Sequence, residues 1–289
     1  KYIAERIKEG LQIHTKWECD CSKFQELDGF KLTENQCKTS QYMCENNIVL
    51  LVGYGGSGKS SSTQAFVNML NAYNKRHLLL APTGRAAKVL SGFTNENAMT
   101  IHRGLMYMPP ADWGFNEENK LPYDVVIVDE FSMVDIFLFR KLLEAIDFEK
   151  TKLLLIGDDA QIPSVGAGNV LYDLLKCEDI PTITLDKVFR YGKGGLSTVA
   201  TDTRTGTEYL DKTKTGMQVF GEDQSYIFMP ILQDKLVGYT VKLYQTLLSK
   251  GYSVDDIAVL SCYNVGDYGT VALNKKIQNA VNSNPKAKI

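Results

Sequence analysis

Ile48-Val49-Leu50-Leu51-Val52-Gly53-Tyr54-Gly55-Gly56-Ser57-Gly58-Lys59-Ser60 is the stretch that decides the fold. Its first five residues are apolar without a break, the pattern of a strand buried on both faces of a parallel sheet. Gly53 through Ser60 then match G-x-x-x-x-G-K-[ST] in full, and a helix is predicted from Ser60 to Tyr73. Strand, glycine loop and helix in this order make a phosphate cradle. Gly53, Gly55, Gly56, Ser57 and Gly58 let backbone N–H groups turn inward onto phosphate oxygens. The helix start adds its positive end, with Lys59, Ser60 and Ser61 in the first turn. Lys59 is expected to reach the outer phosphates and the Ser60 hydroxyl to ligate Mg²⁺.

The same alternation continues outward. Strands are predicted at His77–Ala81, Val125–Val128, Leu153–Ile156 and Ile183–Leu185, with a helix at Arg85–Leu90. This is an α/β chain whose parallel sheet carries helices on both faces. Val125-Val126-Ile127-Val128 ends in Asp129-Glu130, which places Asp129 to hold the metal and Glu130 to orient or deprotonate a water. Upstream, Ile3, Ile7 and Leu11 have helical spacing, residues 17–28 read as polar and irregular, and Thr33 opens a helix. Downstream, residues 200–225 read as a Thr-, Lys- and Gly-rich linker or surface excursion. A helix at Leu232–Ser249, a strand at Ile257–Ser261 and a helix at Val271–Val281 follow. The expected division is an extension at 1–30, a first domain at 31–184 with a small insertion near 104–122, and a partial second domain at 185–289.

Composition excludes less than the motifs assert. With 32 basic and 34 acidic side chains the net charge is −2, so any nucleic acid must be held in a local groove and not by overall charge. The six cysteines, Cys19, Cys21, Cys37, Cys44, Cys177 and Cys262, contain no C-x-x-C pair and no histidine at zinc spacing, and are read as reduced thiols. No apolar run nears the ~20 residues of a membrane span, and the charged start KYIAERIKEG shows no secretory signal; a cytoplasmic location is expected.

Five further segments choose among phosphate-loop proteins. They are Ala81-Pro82-Thr83-Gly84-Arg85-Ala86-Ala87-Lys88, Thr100-Ile101-His102-Arg103, Asp129-Glu130-Phe131-Ser132-Met133, Gly157-Asp158-Asp159-Ala160-Gln161-Ile162-Pro163-Ser164-Val165 and Phe189-Arg190. In order and spacing the chain resembles the RecD/TraA group of superfamily 1 DNA helicases, from about Leu32 to Asn282. The resemblance implies two RecA-like domains with ATP and Mg²⁺ between them. It implies that Gln36 meets the adenine, that Gln161 senses the γ-phosphate, and that Arg190 acts as an arginine finger in cis. Lys59, Asp129, Glu130, Gln161 and Arg190 are then the catalytic set. It further implies DNA contacts from Thr83, Arg85 and Lys88, and from Thr100 and His102; a buried, hydrogen-bonded His102 is the alternative. Tyr107, Trp113 and Phe115 fall where the family carries a pin, and read equally as base-stacking or as packing residues. The segments 260–270 and 273–278 also match the group. Its later motifs do not occur before Ile289, so an incomplete second motor domain is expected.

The function so implied is ATP-driven 5′–3′ movement on single-stranded DNA with unwinding of duplex DNA, with nuclease or replication–recombination proteins as possible partners and no membrane. The rivals are an ATPase subunit of a nuclease complex that translocates without unwinding alone, a small-molecule kinase, and a non-catalytic DNA-binding piece.

Overall fold

The apolar run at 48–52 forms strand β1 (Ile48–Gly53), buried at every position. A strand hidden on both faces needs partners on both edges and cover above and below. The computed structural model describes residues 1–186 and 194–282 and supplies both. The other strands of the main sheet are β2 (His77–Ala81), β3 (Ala98–Thr100), β4 (Val125–Val128), β5 (Lys152–Gly157) and β6 (Thr182–Leu185). Their order is β6-β1-β5-β4-β2-β3, and every neighbouring pair is parallel.

The helices are α1 (Tyr2–Gln12), α2 (Glu34–Glu45), α3 (Lys59–Ala72), α4 (Gly84–Thr94), α5 (Ile101–Gly104), α6 (Ile136–Glu144) and α7 (Val170–Leu175). Successive side chains of a strand point to opposite faces. Ile48, Leu50 and Val52 therefore join one core layer with Ile7 of α1, Phe139 and Leu142 of α6, and Leu171 of α7. Val49 and Leu51 join the other with Met43 of α2, Phe66 and Leu70 of α3, and Leu90 of α4. Each such side chain contributes about 1.5–3 kcal/mol on burial.

The first thirty residues belong to this unit. The Trp17 N–H donates to the Cys44 carbonyl at 2.8 Å, the Thr15 N–H to Asn47 Oδ1 at 3.1 Å, and the Arg6 guanidinium to the Ile146 carbonyl at 2.6 Å. Residues 17–28 are less irregular than their composition suggests. A short 3-10 turn occupies Cys21–Phe24, and Glu26–Leu27 pairs with Phe30–Lys31 as a hairpin.

The chain divides into two compact units, Lys1–Gly192 and Lys193–Ile289. The second contains α8 (Gly195–Thr205), an antiparallel hairpin of Gln218–Phe220 with Tyr226–Phe228, α9 (Gln233–Ser249) and α10 (Thr270–Val281). Two sequence expectations fail here. Residues 200–225 hold most of a helix and one arm of a hairpin, because Val199 and the Tyr209–Phe220–Tyr226 ring cluster give that stretch apolar anchors. Residues 257–261 are not a strand. A strand is stable only through a neighbour's ladder, and the second unit offers none to this segment among the described residues.

Leu154 lies in mid-strand on β5, fully buried. Leu154→Ala should cost about 3 kcal/mol in urea unfolding; a loss under about 1 kcal/mol would mean that this strand is not enclosed on both faces.

Candidate phosphate-transfer site

β1 delivers the chain to Gly53, and α3 takes it up again at Lys59. Between them Gly56 and Gly58 adopt φ of 81° and 93°, left-handed backbone that costs a side-chain-bearing residue free energy. A Cβ at Gly53 would lie 2.6 Å from Ser57 Oγ and 2.7 Å from the Leu185 carbonyl of β6, and one at Gly58 would strike Gln36 Nε2. The loop is thus pressed against its neighbours and has no room for larger residues. Lys59 Nζ donates to the carbonyls of Gly53 at 2.5 Å and Tyr54 at 3.0 Å, arching over the loop it follows. Ser57 Oγ is buried without a hydrogen-bond partner, a polar atom inside the cradle that wants an acceptor or donor. Ser60 is exposed on the first turn of α3, with Ser61 half-buried beside it.

Gln36 lies directly against the phosphate loop. It is buried at the start of α2, where Thr33 and Gln36 cap one another. Its Oε1 accepts from the Thr33 N–H at 2.8 Å and from the Thr33 hydroxyl at 3.1 Å, while Nε2 donates to the Gly58 carbonyl at 3.4 Å. The acceptor oxygen thus serves the cap and one amide hydrogen the loop, so Gln36 braces α2 against Gly58.

Asp129 and Glu130 leave β4 at the same edge. The Asp129 N–H donates to the Leu80 carbonyl at 2.9 Å, and the Glu130 N–H to Asp129 Oδ1 at 2.9 Å. Glu130 has φ of 51°, a left-handed turn that ends the strand abruptly. Burial pushes the Asp129 carboxyl up to about 6; the neighbouring Glu130 charge adds to this, and the Glu130 N–H and the Lys59 ammonium oppose it. A recessed carboxylate whose charge is poorly compensated, beside a second carboxylate, is one that a cation would stabilise. With the Ser60 hydroxyl these oxygens fit Mg²⁺, and Lys59 and the loop amides fit phosphate.

Strand register gathers the remaining residues. Val52 of β1 pairs with Gly157 of β5, and Val128 of β4 with Leu155, so the loops after Gly53, Val128 and Gly157 emerge side by side. Gln161 sits on the exposed loop after β5, where its N–H donates to the Asp158 carbonyl at 3.2 Å. Asp158 itself, to which the sequence gave no role, is buried and accepts from the Ala160 N–H at 3.1 Å, shaping that turn. Phe189 and Arg190 lie outside the described residues.

Ala81 of β2 pairs with Thr100 of β3, which brings the Thr83 and Thr100 segments together at the same edge. Both hydroxyls are helix caps: Thr83 accepts from the Ala86 N–H and Thr100 from the Arg103 N–H, each at 3.2 Å. Arg85 and Lys88 are exposed on α4. His102 is exposed too, which removes the buried alternative. Its ring stacks on Trp113 with centroids 5.6 Å apart, and Trp113 contacts Tyr107 at 4.6 Å. The aromatic stretch forms a two-stranded hairpin, Tyr107–Met108 with Asp112–Trp113.

The residues 31–219 match the family model described as AAA domain, and the chain belongs to that family. It is 37% identical to the ATP-dependent RecD2 DNA helicase of Deinococcus radiodurans across 55% of this chain and 22% of the relative. It is 27% identical to the RecBCD enzyme subunit RecD of Mycobacterium tuberculosis across 85% of this chain and 48% of the relative. Among solved structures it is similar to the Pif1 helicase of Candida albicans, with a TM-score of 0.47 and 19% identity over 78% of this chain and 56% of that one. The chain spans between about a fifth and half of the length of these curated relatives. No helix among the described residues is long and apolar enough to cross a membrane.

The raised Asp129 pKa fixes a sign. The folded chain holds this proton more tightly than an unfolded one, so the stability it contributes is complete below pH about 4 and is lost as pH rises through about 6. Asp129→Asn should therefore raise the ligand-free melting point at pH 8, by roughly 2 kcal/mol in stability, and leave it nearly unchanged at pH 4. An equal change at both pH values would show that the carboxyl is not desolvated.

Proposed function

We propose that this AAA-domain chain is the motor core of a DNA helicase that couples ATP hydrolysis to 5′–3′ movement along single-stranded DNA. One observation carries the reading. A phosphate loop closed by Lys59, the Asp129–Glu130 pair, the Gln161 loop, and the Thr83 and Thr100 segments all leave the same edge of one parallel sheet. Open parallel sheets bind ligands outside the carboxyl ends of their strands. The resemblance to RecD-like helicases in sequence order supports the DNA part.

In this reading the loop amides and Lys59 hold the ATP phosphates, and Ser60 and Asp129 hold Mg²⁺. When bound there, the metal would neutralise phosphate charge. Glu130 accepts a proton from the attacking water or orients it, held by the turn that fixes its backbone. Gln161 reports the state of the γ-phosphate to the adjoining loops, and Arg190 completes the charge balance. Arg85, Lys88 and the amides at the two capped helix starts take DNA phosphates, which suits a chain of net charge −2 because it concentrates binding at one edge. The exposed His102 ring, stacked on the half-buried Trp113, offers a ring face to bases. Kinship with a RecBCD subunit keeps a second outcome in view, translocation that unwinds only beside partners.

ATP hydrolysis by the chain should rise at least tenfold with single-stranded DNA. Glu130→Gln should lower turnover about 100-fold or more and leave nucleotide binding intact, whereas Lys59→Ala should weaken both. Turnover indifferent to DNA would sink the motor reading, and full turnover by Glu130→Gln would remove Glu130 from its role. Strand displacement from 5′-tailed against 3′-tailed duplexes reads the polarity.

A further inference from the structure

At the end of the sheet opposite the phosphate loop, three thiols converge. Cys44 is the penultimate residue of α2, four positions before β1 begins, and is buried. Cys21 opens the short turn Cys21–Phe24 and is half-buried. Their Sγ atoms lie 3.6 Å apart, though the residues are 23 positions apart in the chain. Cys21 Sγ also lies 3.8 Å from Met69 Sδ and 3.7 Å from the Cys19 carbonyl. Two ammonium groups border the cluster: Lys75 and Lys152 each sit 4.9 Å from the Trp17 ring centroid, and Lys152 Nζ donates to the Cys44 carbonyl at 3.4 Å. Among the described residues no such group has the geometry of a metal site.

We propose that Cys21 and Cys44 are an oxidation site, which a hydroperoxide converts to an intramolecular disulfide fastening the 3-10 turn to the end of α2. The distance and the partial exposure of one partner carry the proposal. A disulfide needs sulfurs about 2.05 Å apart, an approach of about 1.5 Å, which rotation of Cys21 on a surface turn supplies.

The electrostatics order the steps. The hydrogen bond with Cys44 holds the Cys21 thiol below the ordinary cysteine range, whereas Cys44 is held above it by that same bond and by burial. The Cys21 thiolate attacks the peroxide; an S–O bond forms, the O–O bond breaks, and the departing oxygen takes a proton to leave as alcohol or water. Cys21 is then a sulfenic acid, and the thiolate that raised the Cys44 pKa is gone. Cys44 attacks Cys21 Sγ; the S–S bond forms, the S–O bond breaks, and hydroxide leaves with the Cys44 proton as water. Two thiols lose two electrons and two hydrogens, and the hydroperoxide gains them.

The test treats the full 289-residue chain, folded and reduced, with hydrogen peroxide, alkylates the remaining thiols, and maps disulfides by mass spectrometry. The expected product joins Cys21 to Cys44, is lighter by about 2 Da, and reverts with dithiothreitol. Cys19→Ser and Cys177→Ser should still form it and Cys21→Ser should not, with each reduced variant first shown to melt cooperatively. The oxidised chain should melt on the order of 5 °C higher, because a closed loop restricts the unfolded chain. A Cys19–Cys44 bridge, bridges between chains only, full alkylation of Cys21 and Cys44 after peroxide, or a lowered melting point would each overturn the proposal.

Discussion

The parallel ladder that locks β1 between β5 and β6 is the constraint on which the rest of the structure depends. Leu50 pairs with Leu155 on one side and with Thr182 on the other, so β1 can neither slip nor twist out without breaking both ladders. A slip of one residue would also turn Ile48, Leu50 and Val52 into the opposite core layer, where α2, α3 and α4 already fill the space. Gly53 is therefore delivered to one place, with the Leu185 carbonyl packed against it. The glycine loop can be tight because its entry point is immobile.

From that fixed edge the chemistry follows by geometry. Strands adjacent in the sheet end within a few ångströms of each other, and their following loops share one rim. This is how Lys59 comes to influence a carboxyl seventy positions later in the chain. Desolvation and the Glu130 charge load the Asp129 carboxyl, and a divalent cation relieves both. The same rim is where the proposed DNA contacts of this slightly acidic chain would gather. Capped helix starts at Thr83 and Thr100 and the exposed Arg85 and Lys88 lie there together, so in the proposed reading the attraction would be local.

Hydroxyls and amides at this rim hold the backbone together. Thr83 and Thr100 cap helices, and Gln36 caps α2 while bonding the loop at Gly58. Gln36 thereby ties the start of α2 to the phosphate loop, so the two are positioned together.

The sequence by itself determined the sheet and its chemistry. Unbroken apolar runs at 48–52, 125–128 and 153–156 allow only strands buried on both faces, and G-x-x-x-x-G-K-S with Asp129-Glu130 states the ligand class. These signals are local, readable within a dozen residues. The tertiary structure alone decided what depends on neighbours distant in the chain. The segment 257–261 has strand composition and finds no ladder; residues 200–225 look like linker yet anchor a helix and a hairpin through Tyr209, Phe220 and Tyr226. Gln36 meets Gly58 because α2 packs beside α3 and the loop before it, and Cys21 meets Cys44 because residues 17–28 fold back over α2. Hydrogen-bond partners, burial and pKa are set by whichever groups the fold brings near, and no periodicity in the chain records that choice.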